Sequence, residues 1–139
     1  MSGYITASDL GLKVSKSNEK TAFRWFLASY LFGKRISQDI ARKTWEVFID
    51  NNVDSPDKIT KSSWQRLVDL LGEGHYKRYD ESTARNLQDM SQFLIVNYDG
   101  KITNLLKQSG NADEAAKKLQ ELKGVGPKTS EIFLREIKI

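Results

Sequence analysis

The residues best suited to chemistry lie in one short stretch, Gly124-Val-Gly126-Pro127-Lys128-Thr. Glycine tolerates positive φ and lets another backbone approach closely, so Gly124 and Gly126 are both expected to have positive φ and to allow a close backbone approach. Pro127 suits the first position of a helix, where its missing N–H costs nothing. The unpaired N–H groups of such a helix start, with the helix dipole behind them, form a seat for a phosphate. Lys128 adds a positive charge or an amine nucleophile.

Two short helices must position this stretch. The first helix begins at a capping-box pattern, in which Asn111 accepts from backbone N–H groups and Glu114 reaches back. Apolar residues then recur at helical spacing, namely Ala115, Leu119 and Leu122. The second helix has an apolar side formed by Ile132, Phe133 and Ile137. The pattern predicts a hairpin of two helices joined by a short turn over 111–139. The plainer alternative is a helix end followed by a proline-started helix in an ordinary bundle.

The centre of this hairpin has a recognisable pattern. The residues Leu122-Lys-Gly-Val-Gly-Pro-Lys-Thr-Ser130 resemble the motif Leu-x-Gly-Val-Gly-x-Lys-Thr-Ala of the helix-hairpin-helix DNA glycosylase superfamily, specifically of its endonuclease III-like members. Ser130 in place of alanine keeps a small residue where the two helices cross. The resemblance implies DNA-backbone contacts by the hairpin residues Gly124, Val125, Gly126, Lys128 and Thr129. Backbone contacts position DNA without reading its sequence, so binding largely independent of sequence is expected.

The same resemblance has implications for cations and catalysis. It implies a potassium- or sodium-like ion held by the backbone carbonyls of Gln120, Leu122 and Val125. We expect no other cofactor. In bifunctional members the lysine matching Lys128 forms a Schiff base with the sugar, which requires a neutral and commonly desolvated amine. The family also uses an aspartate after the second hairpin helix, and this sequence has no residue at that position. We therefore expect a non-catalytic or degenerate module.

Two further loops carry basic and aromatic residues. Lys34 and Arg35 lie where the family places a loop that probes the gap left by a flipped base. Lys77, Arg78 and Tyr79 correspond to the family's second wedge loop, where an arginine or tyrosine can stack on a base or fill a minor groove. The plainer interpretation is solvated charge at helix ends with a tyrosine packed on the body. Combined with the hairpin, these loops favour double-stranded DNA as the partner.

The remaining apolar pattern predicts helices and no strands. A first helix is expected over about 19–32, and Ser37 is expected to cap a second. Further helices are expected over 60–71, over 80–97 with Asp80 as the cap, and over 102–106. We therefore predict an all-α fold of six to seven helices, similar to the six-helix module of endonuclease III and ending in the hairpin.

Domain organisation follows from the length of 139 residues, which suits one domain with a substantial core. Residues 1–18 are expected to form an irregular lead-in, and 19–139 a single helical domain. In the family a further helix follows the hairpin and completes the module. We therefore expect residues 1–18, a protein partner or self-association to cover core that would otherwise be exposed.

Composition excludes several classes of function. The chain has no cysteine, which excludes disulfides, thiolate catalysis and the iron–sulfur cluster that many endonuclease III relatives carry. No apolar run approaches the ~20 residues of a membrane span, so we expect an intracellular protein without membrane contact, in the cytoplasm, nucleoid or nucleus. The net charge of +4 is compatible with nucleic acid.

These patterns together favour a DNA-binding helix-hairpin-helix protein related to base-excision repair glycosylases. Two alternatives remain open. One is an active DNA glycosylase or abasic-site lyase that uses Lys128 as its nucleophile. The other is a protein-interaction module, in which the hairpin packs on a partner protein instead of DNA.

Overall fold

The computed structural model describes residues 5–139, and every regular element in that range is helical, which confirms the predicted all-α class. None of these helices has the length and apolar character needed to cross a membrane. A 3₁₀ turn at Ser8–Leu10 precedes the helices. In chain order they are α1 (Glu19–Phe32), α2 (Gln38–Asp50), α3 (Pro56–Lys61), α4 (Trp64–Glu73), α5 (Asp80–Tyr98), α6 (Ile102–Lys107), α7 (Ala112–Leu119) and α8 (Pro127–Glu136).

Helix α1 is the centre of the fold. It begins after Asn18, whose Oδ1 accepts from the Thr21 backbone N–H at 3.2 Å. Burial extends beyond the one apolar stripe that the sequence indicates, because Trp25, Ala28 and the polar Ser29 are buried as well. Helices α2, α6 and α8 all pack against it. A helix that is covered on nearly all sides fixes its neighbours relative to one another.

The helix predicted over 60–71 exists as α4, but its predicted start is wrong, because the chain breaks at Ser62 and Ser63 between α3 and α4. Ser62 has extended backbone (ψ 140°), and its hydroxyl donates to the Lys58 carbonyl at 2.9 Å. Ser63 is also extended, and its hydroxyl accepts from the Arg66 N–H at 3.0 Å as the cap of α4. The two serines therefore satisfy the backbone groups that the break exposes. This division accounts for eight helices, against the six to seven expected, within residues 5–139.

The start of α5 also differs from the prediction. The N-cap position is occupied by Tyr79, which has left-handed backbone (φ 66°) and makes no side-chain capping bond. Asp80 is instead the first helical residue, and its Oδ1 accepts from the adjacent Glu81 N–H at 2.7 Å. The expected capping role of Asp80 is therefore wrong. The left-handed turn holds the side chain of Tyr79 in an exposed position, 56% accessible.

The amino-terminal lead-in packs on the helical body. Ala7 and Leu12 are buried in the core, and the Ala7 N–H donates to the Glu136 carboxylate at 2.9 Å. The Arg42 guanidinium donates to the Asp9 carbonyl at 3.2 Å. Residues 5–12 thus contact both α2 and α8. Residues 1–4 of the predicted lead-in lie outside the described residues.

Candidate nucleic-acid interface

The predicted hairpin is formed by α7, the turn 120–126 and α8. Asn111 Oδ1 accepts from the Glu114 N–H at 2.9 Å, and the Glu114 carboxylate accepts from the Gly110 N–H at 2.9 Å. These two bonds form the expected capping box, with the glutamate reaching one residue before the cap. At the other end, Ser130 is buried, and its hydroxyl lies 3.3 Å from the Gln120 side-chain amide. A small residue therefore stands where the end of one helix meets the start of the next.

The two glycines of the turn have different structural requirements. Gly124 has φ +83°, and a Cβ at this position would clash with the Tyr30 hydroxyl. Gly126 has extended backbone (φ −109°, ψ −170°), and a Cβ there would meet no atom within 4 Å. The expectation of positive φ is thus confirmed for Gly124 and wrong for Gly126. Within the described residues, the fold requires glycine at 124 and leaves open space around 126.

The start of α8 offers backbone donors. Within residues 5–139, the N–H groups of Gly126, Lys128 and Thr129 have no hydrogen-bond acceptor, as expected for a first helical turn without a side-chain cap. Thr129 is buried, so its N–H is the least accessible of the three. The positive end of the helix dipole lies at the same place. The exposed donors beside the open space at Gly126 suit an anion.

The Lys128 side chain lies in solvent beside a carboxylate. Its ammonium is 3.6 Å from Glu131 Oε1, and the two side chains are 59% and 65% exposed. The same carboxylate oxygen lies 3.7 Å from the Arg135 guanidinium. A lysine nucleophile is commonly activated by desolvation or by neighbouring cations. Lys128 lacks the burial, and its adjacent charge is negative, so the arrangement suits an electrostatic role.

The loop after α1 is packed directly on the hairpin turn. The Lys34 ammonium donates to the Gly124 carbonyl at 2.9 Å and lies 4.3 Å from the centre of the Tyr30 ring. The Tyr30 hydroxyl donates to the neighbouring Lys123 carbonyl at 3.1 Å. Burial lowers the pKa of Lys34, and burial raises the pKa of Tyr30 above its ordinary value. Lys34 is therefore turned toward the protein, whereas its neighbour Arg35 is exposed.

The two loops singled out in the sequence meet in one groove of about 280 Å³. Its lining residues are Gly33, Lys34, Arg35, Tyr76, Tyr79, Ser82, Thr83 and Asn86. Tyr79 contributes an exposed ring, and the Arg78 guanidinium lies 5.0 Å from the centre of that ring. Lys77 is exposed but does not line the groove. The groove thus combines an aromatic face, two cations and polar side chains.

Sequence reasoning missed five of these lining residues, namely Gly33, Tyr76, Ser82, Thr83 and Asn86. Tyr76 is buried, and its hydroxyl lies 2.9 Å from the Thr83 hydroxyl, which fixes the floor of the groove. Ser82 and Asn86 project from the first turns of α5 at helical spacing. Ser82 follows Tyr79 by three residues and Asn86 follows Ser82 by four, and this helical spacing was the available signal. Only the packing of α5 beside the loop after α1 could show that they face Lys34 and Arg35.

Cation-binding groups are sparse in the part of the chain that the structure describes. No cluster of three or more histidine, cysteine or acidic side chains is found among residues 5–139. Of the three carbonyls that the resemblance assigns to a monovalent ion, that of Leu122 accepts from the Val125 N–H at 3.1 Å. A carbonyl oxygen has two lone pairs, so this bond leaves room for one further ligand. The ion remains a prediction.

Comparison with protein-family models, with curated proteins and with solved structures found no match to this chain.

Proposed function

We propose that the protein binds double-stranded DNA through its phosphate backbone, with the hairpin turn and the start of α8 as the main contact. The observation that most directly supports this proposal is the open space at Gly126, which lies beside backbone N–H donors that have no acceptor within residues 5–139. A phosphate oxygen needs close approach to such donors, and a side chain at this position would obstruct it. The sequence resemblance to helix-hairpin-helix DNA glycosylases supports the same partner.

Exposed cations around the hairpin support this choice of partner. Lys123 and Lys128 flank the two glycines, and both are exposed. Arg35 is exposed on the loop that contacts the turn through Lys34. A partner that carries a regular array of negative charges would engage all three, whereas an apolar protein partner would have to desolvate them. The groove beside Arg35 and Tyr79 suits the stacking of one base or the filling of a minor groove.

We propose that this binding is not accompanied by Schiff-base chemistry at Lys128. The Lys128 side chain is exposed and lies beside the Glu131 carboxylate, so it lacks the desolvation that commonly activates a lysine nucleophile. Borohydride trapping on an abasic-site duplex tests this, with wild type and Lys128→Ala compared. We expect no covalent adduct with either protein. An adduct that disappears in the variant would instead establish an abasic-site lyase.

The decisive binding experiment replaces Gly126 by leucine. Extended backbone before a proline accepts any residue, and a Cβ added at Gly126 meets no atom of the described residues within 4 Å. Gly126→Leu is therefore expected to fold normally and to lose affinity for a random-sequence duplex. The matched control is Gly72→Leu, because Gly72 in α4 also has open space and α4 packs on α2 and α5, away from the hairpin.

Both variants are measured by fluorescence anisotropy between about 50 and about 200 mM salt. Affinity that falls steeply with salt in wild type and in Gly72→Leu, and is lost in Gly126→Leu, supports the proposal. Equal affinity in wild type and Gly126→Leu removes the hairpin as the site. Absence of salt-dependent binding in wild type favours the protein-interaction alternative.

A further inference from the structure

The hairpin turn is held by two donors that come from outside it. Lys34 donates its ammonium to the Gly124 carbonyl at 2.9 Å, and Tyr30 donates its hydroxyl to the Lys123 carbonyl at 3.1 Å. Both donors belong to one segment of chain, the end of α1 and the loop that follows. Two consecutive carbonyls of the turn are therefore bound by one neighbouring segment, so the turn cannot move independently of it.

The surrounding packing makes this contact specific to lysine. The stem of Lys34 is half-buried, and its ammonium lies over the Tyr30 ring at 4.3 Å, a cation–π distance. Gly33 approaches the start of α8 so closely that a Cβ there would clash with the Thr129 hydroxyl. The loop is thus held close to α8 at Gly33, the residue before Lys34. Desolvation lowers the pKa of the amine, a cost that the bond to Gly124 and the aromatic face offset.

We infer that Lys34 is a positioning residue: its ammonium fastens the hairpin turn to the loop after α1, so that the start of α8 and the groove at Arg35 and Tyr79 form one rigid binding surface. The amine does not contact the partner itself. This differs from the sequence expectation that Lys34 touches DNA. The consequence for DNA rests on the proposed function, whereas the fastening of the turn does not.

A direct test of the fastening follows amide hydrogen exchange in the turn. The Val125 N–H donates to the Leu122 carbonyl, so its exchange reports opening of the turn. We expect Lys34→Met, which keeps the apolar stem, to speed Val125 exchange by about tenfold. Tyr30→Phe, which removes only the second donor, is expected to act in the same direction. The Leu94 amide within α5 serves as the internal reference for global stability.

The matched control is Lys61→Met. Lys61 is an exposed lysine of α3 that pairs with Asp57, and α3 packs on α5, away from the hairpin. It removes the same charge without touching the turn, so Val125 exchange should stay at the wild-type rate. Unchanged Val125 exchange in Lys34→Met would overturn the inference, whether or not the protein binds DNA.

The salt dependence of DNA affinity separates positioning from direct contact. A lysine that meets a phosphate contributes about 0.9 to the slope of log affinity against log salt. Loss of a positioning lysine is expected to weaken affinity by about tenfold and to leave that slope unchanged. A smaller slope in Lys34→Met with unchanged Val125 exchange would show phosphate contact and overturn the inference. Faster exchange together with no DNA binding by wild type would uphold the fastening and refute the proposed function.

Discussion

The indole N–H of Trp25 donates to the backbone carbonyl of Phe133 at 3.1 Å, inside the core. The Phe133 ring also packs edge-on against Phe26, with ring centres 5.4 Å apart and an angle of 88° between the planes. Both contacts join α1 to α8. The second hairpin helix is therefore oriented by the most buried helix of the fold as well as by α7, and the position of its exposed start depends on core packing.

Replacing Trp25 by phenylalanine tests this dependence. The change removes the indole donor and leaves a space in the core, so we expect a loss of about 2–4 kcal/mol in the free energy of unfolding. The matched control is Trp64→Phe, because the Trp64 indole also donates to a carbonyl, that of Glu81 at 3.1 Å, but at the surface. Urea unfolding measures both. Equal losses of unfolding free energy in the two variants would show that the bond between α1 and α8 stabilises the fold no more than a surface bond does.

Gly124→Ala is expected to destabilise the turn for two reasons. The positive φ of +83° costs a non-glycine residue about 1–2 kcal/mol, and the new methyl group meets the Tyr30 hydroxyl. Tyr30→Phe removes that oxygen and relieves part of the clash. In a double-mutant cycle by urea unfolding, the combined loss should therefore be smaller than the sum of the two single losses. Strict additivity would contradict the close contact between the turn and α1.

Lys128→Met is expected to lower the salt dependence of DNA affinity. If its ammonium meets one phosphate, its loss should make the negative slope of log affinity against log salt shallower by about 0.9. Anisotropy titrations with one duplex at several salt concentrations measure the slope, with Lys61→Met as a control of equal charge. A slope equal to that of wild type would mean that the Lys128 side chain lies outside the contact, leaving the backbone donors to carry it.

Glu19 gives a pH dependence to stability. Burial raises the pKa of its carboxyl above the ordinary 4.5, although hydrogen bonds from Thr103 and Ile102 oppose the shift. The folded protein therefore holds this proton to higher pH than the unfolded chain, and wild-type stability falls as the pH rises from 4.5 through the folded pKa. Glu19→Gln cannot ionise, and its amide oxygen can still accept from Thr103.

Urea unfolding of wild type and Glu19→Gln at a series of pH values measures this effect. We expect the variant to gain stability relative to wild type as the pH rises through that window. If wild type instead becomes more stable relative to the variant as the pH rises, the hydrogen bonds to α6 outweigh the desolvation of the carboxylate.

The sequence predicted well those elements whose signals are local. The helix predicted over about 19–32 begins at Glu19, Ser37 caps α2, and the hairpin begins with the capping box at Asn111. Serine is ambiguous, because the same side chain can face solvent inside a helix or cap a new one. The break at Ser62 and Ser63 was missed for this reason. The presence of a helix was thus predictable from periodicity, whereas the boundary between α3 and α4 depended on how these two helices pack.

The sequence identified several residues of the candidate site, but it predicted only in part how their side chains are arranged. Lys34 and Arg35 are adjacent cations in the sequence, yet one is directed at the hairpin and the other is exposed. What separates them is the approach of Gly33 to Thr129, a contact between residues far apart in the chain. Similarly, Gly124 and Gly126 look alike in the motif, and only the position of Tyr30 shows which one the fold requires.

The bond between the Ala7 N–H and Glu136 has a practical consequence for engineering. It brings the lead-in to the far end of α8, about 15 Å from Gly126 along the helix axis. A short linker could therefore join the lead-in to the segment after α8, and the chain could be reopened at the turn formed by Asp99, which is exposed, and Gly100. Such a circular permutant would keep the hairpin and the groove intact while placing both new ends, with any attached label, beside α5 and α6.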